Sequence, residues 1–244
     1  MNILHLTTYL QGGAGRTITG LLIGQKNDGH SVSIICTRTE YPGYCNYPEY
    51  LASRAADGIK VLKIDSIFKR DSIFKRDSIF KRDSILNSSV VDATKEFIRN
   101  NGIDLLHCHA PNASSIALQV RAELDLNIPV IQTMHGWGNN KTTEQQKNDI
   151  ETVSKVDRLI VVSKSSQKLL ESKGVPIEQI HFIPNGIDLA TRNTLSKLFS
   201  IIRETRPNRP NPSLILCLGS LCKRKNQRLL IEALSKINRA AYPF

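Results

Sequence analysis

Short, nearly uncharged apolar runs recur along the first 190 residues, and most are followed by a stretch of helical periodicity. The runs are Asn2 to Thr7 (NILHLT), Ser31 to Thr37 (SVSIICT), 60–64 (KVLKI), 104–107 (DLLH), 129–134 (PVIQTM), 158–163 (RLIVVS) and 180–183 (IHFI). Helical patterns are expected at 15–29, 90–101, 113–125, 144–155 and 164–173. In the first of these, Ile18, Leu21, Leu22 and Gln25 share one face and Gly29 marks the stop. Continuous apolar strands separated by helices imply a parallel sheet covered on both faces. With right-handed crossovers the result is an α/β, Rossmann-like, doubly wound domain over residues 1–190.

Residues 205–212 (TRPNRPNP) contain three prolines, which rule out regular helix or a central strand; they place a linker over 191–212. A new unit then begins: a strand at Ser213 to Gly219 (SLILCLG), a basic loop, and a helix at about 226–237. A single β-loop-α unit cannot bury its own faces, so 213–244 reads as the incomplete start of a second α/β domain. Between the third and fourth strands, DSIFKR occurs three times, at 65–70, 71–76 and 77–82, followed by DSIL at 83–86. Six residues turn a helix by about 600°, so the Ile and Phe of successive copies spiral around the axis instead of forming a buried stripe. The repeat reads as a tandem duplication in a tolerant connection; the sharper alternative is a basic arm touching a membrane surface.

The formal net charge is +11. Residues 191–244 carry 11 Lys+Arg against 2 Asp+Glu, so most of the excess sits near the C-terminal end. Such a region can hold phosphate groups or meet an anionic membrane surface. No nucleic-acid-binding motif accompanies it and aromatic residues make up only 6%, which argues against nucleic acid. No run approaches 18 apolar residues, and the N-terminus lacks the basic region and cleavage site of a signal peptide. The five cysteines (36, 45, 108, 217, 222) are scattered and form no C-x-x-C pair, which fits a reducing cytoplasm.

Five segments carry chemistry. QGGAGR (11–16) follows the first strand and opens a helix; Gly12 and Gly13 let the backbone approach a ligand, and the helix start offers N–H groups to an anion. It is not G-x-G-x-x-G, and no acidic residue ends the second strand, which argues against a nicotinamide site. HCHAP (107–111) stands at a strand end, where open α/β sheets bind ligands. His107 and His109 point the same way, but Cys108 faces oppositely and no further ligand completes a metal set. MHGWG (134–138) places His135 in a glycine loop with little bulk around it, where an accessible imidazole could bond sugar hydroxyls or phosphate. FIPNGID (182–188) contains a Pro-Asn-Gly turn. GSLCKRKNQ (219–227) joins a strand end, a basic cluster and a helix start, a diphosphate cradle in which Lys225 is the best placed cation.

GGAGR after the first strand, HCHAP, a strand followed by His-Gly, Val162-Ser163, IPNGID and LGSLCKRKNQRLLIEAL occur in the order seen in family-4 glycosyltransferases, which this chain resembles over all but residues 65–86. The resemblance implies the retaining GT-B architecture of two Rossmann-like domains, the N-terminal one mainly for the acceptor and the C-terminal one for a nucleotide-sugar donor. It implies transfer to a polysaccharide or lipid-linked acceptor, with no metal and no cofactor beyond the donor co-substrate. Gly12, Gly13 and Arg16 then lie by the donor phosphates, and His135 contacts the transferred sugar. Lys225 stabilises the departing diphosphate. His109 and Asn185 belong to the cleft. Ser220 stands where many members have an Arg that grips the phosphates, a contact that falls to Lys223 or Arg224. The family's E-x7-E motif is not found in 213–244, where only Glu232 occurs. The sequence therefore reads as a glycosyltransferase truncated in its donor domain, with transfer and donor affinity expected to be impaired, and with two alternatives: an inactive fragment serving at most as a binding module, or a GT-B-shaped sugar-nucleotide epimerase. The epimerase would need acid/base carboxylates, and the sequence offers no clear candidates. The expected location is the cytoplasm, peripheral to the membrane at most.

Overall fold

The computed structural model describes residues 1–38, 47–48, 51, 58–64, 88–138, 141–186 and 225–237, with 200, 215, 217 and 219. The DSIFKR repeat, the proline linker and most of the expected strand at 213–219 lie outside these residues. The chain divides into two compact units, Met1–Gly186 and Ile187–Phe244.

The first unit contains seven strands: β1 (Asn2–Leu6), β2 (Ser31–Thr37), β3 (Lys60–Ile64), β4 (Leu105–Cys108), β5 (Val130–Met134), β6 (Arg158–Val161) and β7 (Ile180–Phe182). All pair in parallel, in the order β3-β2-β1-β4-β5-β6-β7. The connecting helices are α1 (Gly12–Asn27), α2 (Ser88–Asn101), α3 (Pro111–Glu123), α4 (Thr143–Val153) and α5 (Lys164–Ser172). The doubly wound parallel sheet expected from the apolar runs is present.

Alternation along β1 sets the two layers. Leu4 and Leu6 join Leu106, Cys108, Ala113, Ile116, Val120 and Ile98 in a core on the α2–α3 side. Val32, Ile34 and Cys36 of β2 pack with Ile18 and Leu22 of α1 on the other. His5 pairs in register with Ile34 and with His107, so both histidines share the α1 face. Pairing of β1 with β2 on one side and β4 on the other is where the strand order reverses. The crevice beyond the strand C-termini at such a reversal is where open α/β sheets bind ligands.

Helix α1 begins at Gly12, three residues before the periodicity alone indicates. Its buried residues are Gly15, Ile18, Thr19 and Leu22. Leu21, expected on the inner face, is instead 37% exposed. Gly15 decides the seating of the helix. A Cβ there would lie 2.7 Å from the Leu10 carbonyl carbon and 2.9 Å from the Tyr47 ring, whereas one at Gly13, Gly20 or Gly24 would meet nothing within 4 Å.

Of the second unit, helix α6 (Gln227–Ser235) is described, and it agrees with the expected helix at 226–237. No described helix is long and apolar enough to cross a membrane.

Candidate active site

The sheet edge at the β1/β4 reversal is built from imidazoles. His5 of β1 is fully buried, and His107 and His109, at and just beyond the end of β4, are almost as completely enclosed. His135 directly follows β5 and is half-buried. Their rings adjoin: His107 and His109 have centroids 4.4 Å apart, His5 and His109 stack at 5.2 Å with 8° between planes, and His109 and His135 stack at 5.4 Å.

Buried polar groups need partners, and these find them in one another. His5 Nε2 meets the Gln25 amide oxygen at 2.8 Å, and His5 Nδ1 meets His109 Nε2 at 2.9 Å. His109 Nδ1 meets His135 Nε2 at 3.2 Å. His107 Nε2 meets the Thr133 hydroxyl at 2.8 Å. His107 Nδ1 and His135 Nδ1 are buried with no partner among the described residues. Burial penalises the charged imidazolium, which lowers His5 to about 4 against the small opposing effect of the Gln25 bond. Burial drives His107 and His109 well below the ordinary histidine value, and nearby histidines push the same way. Burial also lowers His135. At neutral pH the cluster is therefore uncharged.

The metal reading of HCHAP needs a correction. His107 and His109 do point the same way, and a third ligand is present, supplied across the sheet by His5. Single ring nitrogens of the three lie within 4.8 Å of one another. Two of those histidines already share a hydrogen bond, and no acidic or thiol group joins the set among the described residues. His5 is the site residue that sequence reasoning missed. Its signal was a lone histidine inside an otherwise apolar strand, at a position that only the β1–β4 register brings beside His107.

The loop carrying His135 is also more filled than its glycines suggest. Trp137 lies under Lys141, whose Nζ is 3.8 Å from the ring centroid, with the Nζ of Lys173 at 5.4 Å. Lys141 pairs with the buried Asp149 of α4 at 2.7 Å, and Lys173 donates to Gln146 at 2.8 Å. The Thr142 capping box fixes the start of α4. These contacts hold the chain on both sides of residues 139–140 and so brace the segment in which His135 sits.

At the end of β1, Gly12 has φ +63 and the Gln11 side chain makes no cap hydrogen bond to the first turn of α1. Gly13 faces open space, while Arg16 is exposed. His109 and His135 are brought together, as the strand ends require. Asn185 and Gly186 are exposed beyond β7, away from this cluster along the sheet. In the second unit, the stem of Lys225 lies across Gly219, 3.6 Å from where a Cβ would project, immediately before α6. Ser220, Lys223 and Arg224 lie outside the described residues. A shallow groove lined by Arg121, Pro129, Ile131, Asp157 and Arg158 opens at the start of β5 and β6, the end of the sheet remote from the histidines.

A parallel, doubly wound sheet with a glycine-opened helix start at its switch point defines a Rossmann-like domain. The family profile of Glycosyltransferase Family 4 matches residues 11–191. The chain belongs to glycosyltransferase family 4. Among solved structures, Anabaena HepE in complex with UDP and glucose is 18% identical with a TM-score of 0.67, covering 98% of this chain and 58% of that one. Sucrose-phosphate synthase from Thermosynechococcus elongatus is 16% identical with a TM-score of 0.69, covering 97% and 60%. UDP-GlcNAc 2-epimerase from Neisseria meningitidis bound to UDP-GlcNAc is 16% identical with a TM-score of 0.52, covering 87% and 56%. This chain thus spans less than two thirds of the length of these neighbours. No curated protein sequence matches it.

Proposed function

We propose that this chain is the acceptor-side domain and the first part of the donor-side domain of a retaining nucleotide-sugar glycosyltransferase acting on a polysaccharide or lipid-linked acceptor. The observation that supports it most is the placement of His135 and His109 at the same strand-end edge of the sheet that the glycine-opened start of α1 follows. In this reading Gly12 and Gly13 admit the donor phosphates, which accept from the N–H groups of the first turn, with Arg16 nearby. His135 contacts the transferred sugar. When the bond from the anomeric carbon to the diphosphate oxygen breaks, Lys225 offsets the negative charge gathering on the leaving group, with Ser220, Lys223 and Arg224 as further phosphate contacts. His109 and Asn185 line the cleft, and the basic C-terminal region can meet an anionic membrane face. No metal is required. A nucleotide sugar is the co-substrate, and HepE, the neighbour solved with UDP and glucose, makes UDP-glucose the first donor to try.

The test is donor binding and turnover by the chain with a panel of nucleotide sugars, followed by His135→Ala and Lys225→Ala. Loss of turnover by about a hundredfold or more on removing either group, with the fold intact, is the expected outcome. Absence of any donor binding, or full activity in both variants, would overturn the proposal. Release of an epimerised nucleotide sugar in place of transfer would replace it.

A further inference from the structure

Three imidazoles and one carboxamide form an unbroken hydrogen-bonded chain running from α1, through β1 and the end of β4, to the end of β5. Its links are Gln25 to His5 at 2.8 Å, His5 to His109 at 2.9 Å, and His109 to His135 at 3.2 Å. A neutral imidazole has one N–H and one bare nitrogen, so each ring must donate at one end and accept at the other. The direction of the whole chain is therefore a single choice, set by its two ends: the Gln25 amide and the His135 Nδ1. The Gln25 amide oxygen faces His5 and can only accept, so the proton of His5 sits on Nε2. His5 Nδ1 is then bare and accepts from His109 Nε2–H. His109 Nδ1 is bare in turn and accepts from His135 Nε2–H. The opposite direction would require the Gln25 amide to turn its NH2 toward His5 in place of the oxygen that faces it. It would also leave an N–H of His135 buried without an acceptor, and orphaned donors are rarer than orphaned acceptors.

We infer that Gln25, His5 and His109 are positioning residues that lock His135 in one tautomer, with Nε2 protonated and Nδ1 kept as a bare acceptor. Among the described residues His135 Nδ1 has no partner. Kept bare, Nδ1 can only accept, so a hydroxyl of a polyhydroxylated ligand that reaches this buried atom on binding must donate to it, a consequence that rests on the reading of His135 as a sugar contact. The tautomer itself does not depend on that reading. No residue among Gln25, His5 and His109 need touch the ligand. Their effect reaches it only through the proton placement on His135.

The experiment is a long-range proton–nitrogen correlation spectrum of the full chain labelled with 15N-histidine, recorded at pH 7.5. Gln25→Leu removes the fixed acceptor, and Gln25→Glu retains it. The expected result is an Nε2–H pattern for His5, His109 and His135 in the wild type and in Gln25→Glu. In Gln25→Leu both directions leave the same number of unmet groups. The ratio of the two His135 tautomers should therefore shift about tenfold toward parity, the effect of losing one buried hydrogen bond. An Nδ1–H signal for His135 in the wild type, or an unchanged His135 pattern in Gln25→Leu, would overturn the inference. The wild-type spectrum alone decides the matter if Gln25→Leu does not fold. A stoichiometric shift of His5, His107 and His109 on adding zinc would also overturn it, because a metal at those nitrogens breaks the chain. Unchanged donor affinity in His135→Ala beside an intact tautomer pattern would instead sink the sugar contact alone.

Discussion

Glycine to alanine exchanges along α1 should change sign within one helix. At Gly15 an added Cβ would sit 2.7 Å from the Leu10 carbonyl carbon, 3.0 Å from its oxygen and 2.9 Å from Tyr47 Cδ2. The first two contacts are backbone, so relief requires α1 to move off the segment that follows β1. Overpacking of this kind costs about 1–3 kcal/mol, and a backbone obstacle places it near the upper end. The better helix propensity of Ala returns about 1 kcal/mol. The net expectation for Gly15→Ala is a loss of about 2 kcal/mol, or roughly 4–8 °C in Tm for a chain of this size. At Gly20 and Gly24 nothing lies within 4 Å of the new methyl group and both positions are exposed, so only the propensity gain remains, about 0.5–1 kcal/mol of added stability each. Urea titrations of the three variants, followed by far-UV circular dichroism, measure the difference. Equal stability of Gly15→Ala and Gly20→Ala, or a loss at Gly20, would refute the account of how α1 is seated.

Acid should unfold the protein through its buried histidines. Their folded pKa values are depressed, so between the unfolded value of about 6.5 and the folded value of about 4 the unfolded chain binds more protons. Stability is full above pH 6.5 and falls as pH drops through that window, by about 3 kcal/mol from His5 alone with His107 and His109 adding in the same direction. Denaturant midpoints at pH 7.5 and 4.5 check the sign, and a flat profile contradicts it. Lys141→Met removes the cation between Trp137 and the buried Asp149, and should cost about 3 kcal/mol. The same variant should quench or shift Trp137 fluorescence, the chain's one tryptophan, whereas a stability change under 1 kcal/mol would show the pair to be dispensable. Cys108 and Cys36, whose thiols burial pushes up to about 12 and about 11, should resist alkylation in the native state while the exposed Cys217 reacts; mass spectrometry of peptides reads this directly.

How far the sequence carries this structure depends on the range of the interaction that decides each part. Strand runs such as SVSIICT are uncharged and β-branched, and β2 occupies the expected residues with the expected burial. Periodicity alone starts α1 late because Gly12 and Gly13 lower helix propensity locally, whereas QGGAGR read as a helix opening agrees with the observed start at Gly12. Periodicity places Leu21 inward because it gives a face but not its centre. The close approach permitted by Gly15 rotates that centre onto Ile18, Thr19 and Leu22. His109 and His135 were legible because both end an apolar strand, a local cue. His5 and Gln25 were not, since their importance comes from a partner about 100 residues away in one case and from the underside of a helix in the other. That difference has a chemical consequence. Strand-end rules treat a histidine as a unit. Which nitrogen of His135 is protonated is settled in part three side chains away, by a glutamine amide on α1. Reading the cluster from its motifs therefore yields the residue but leaves the polarity of its ring nitrogens, donor or acceptor, to the tertiary hydrogen bonds behind it.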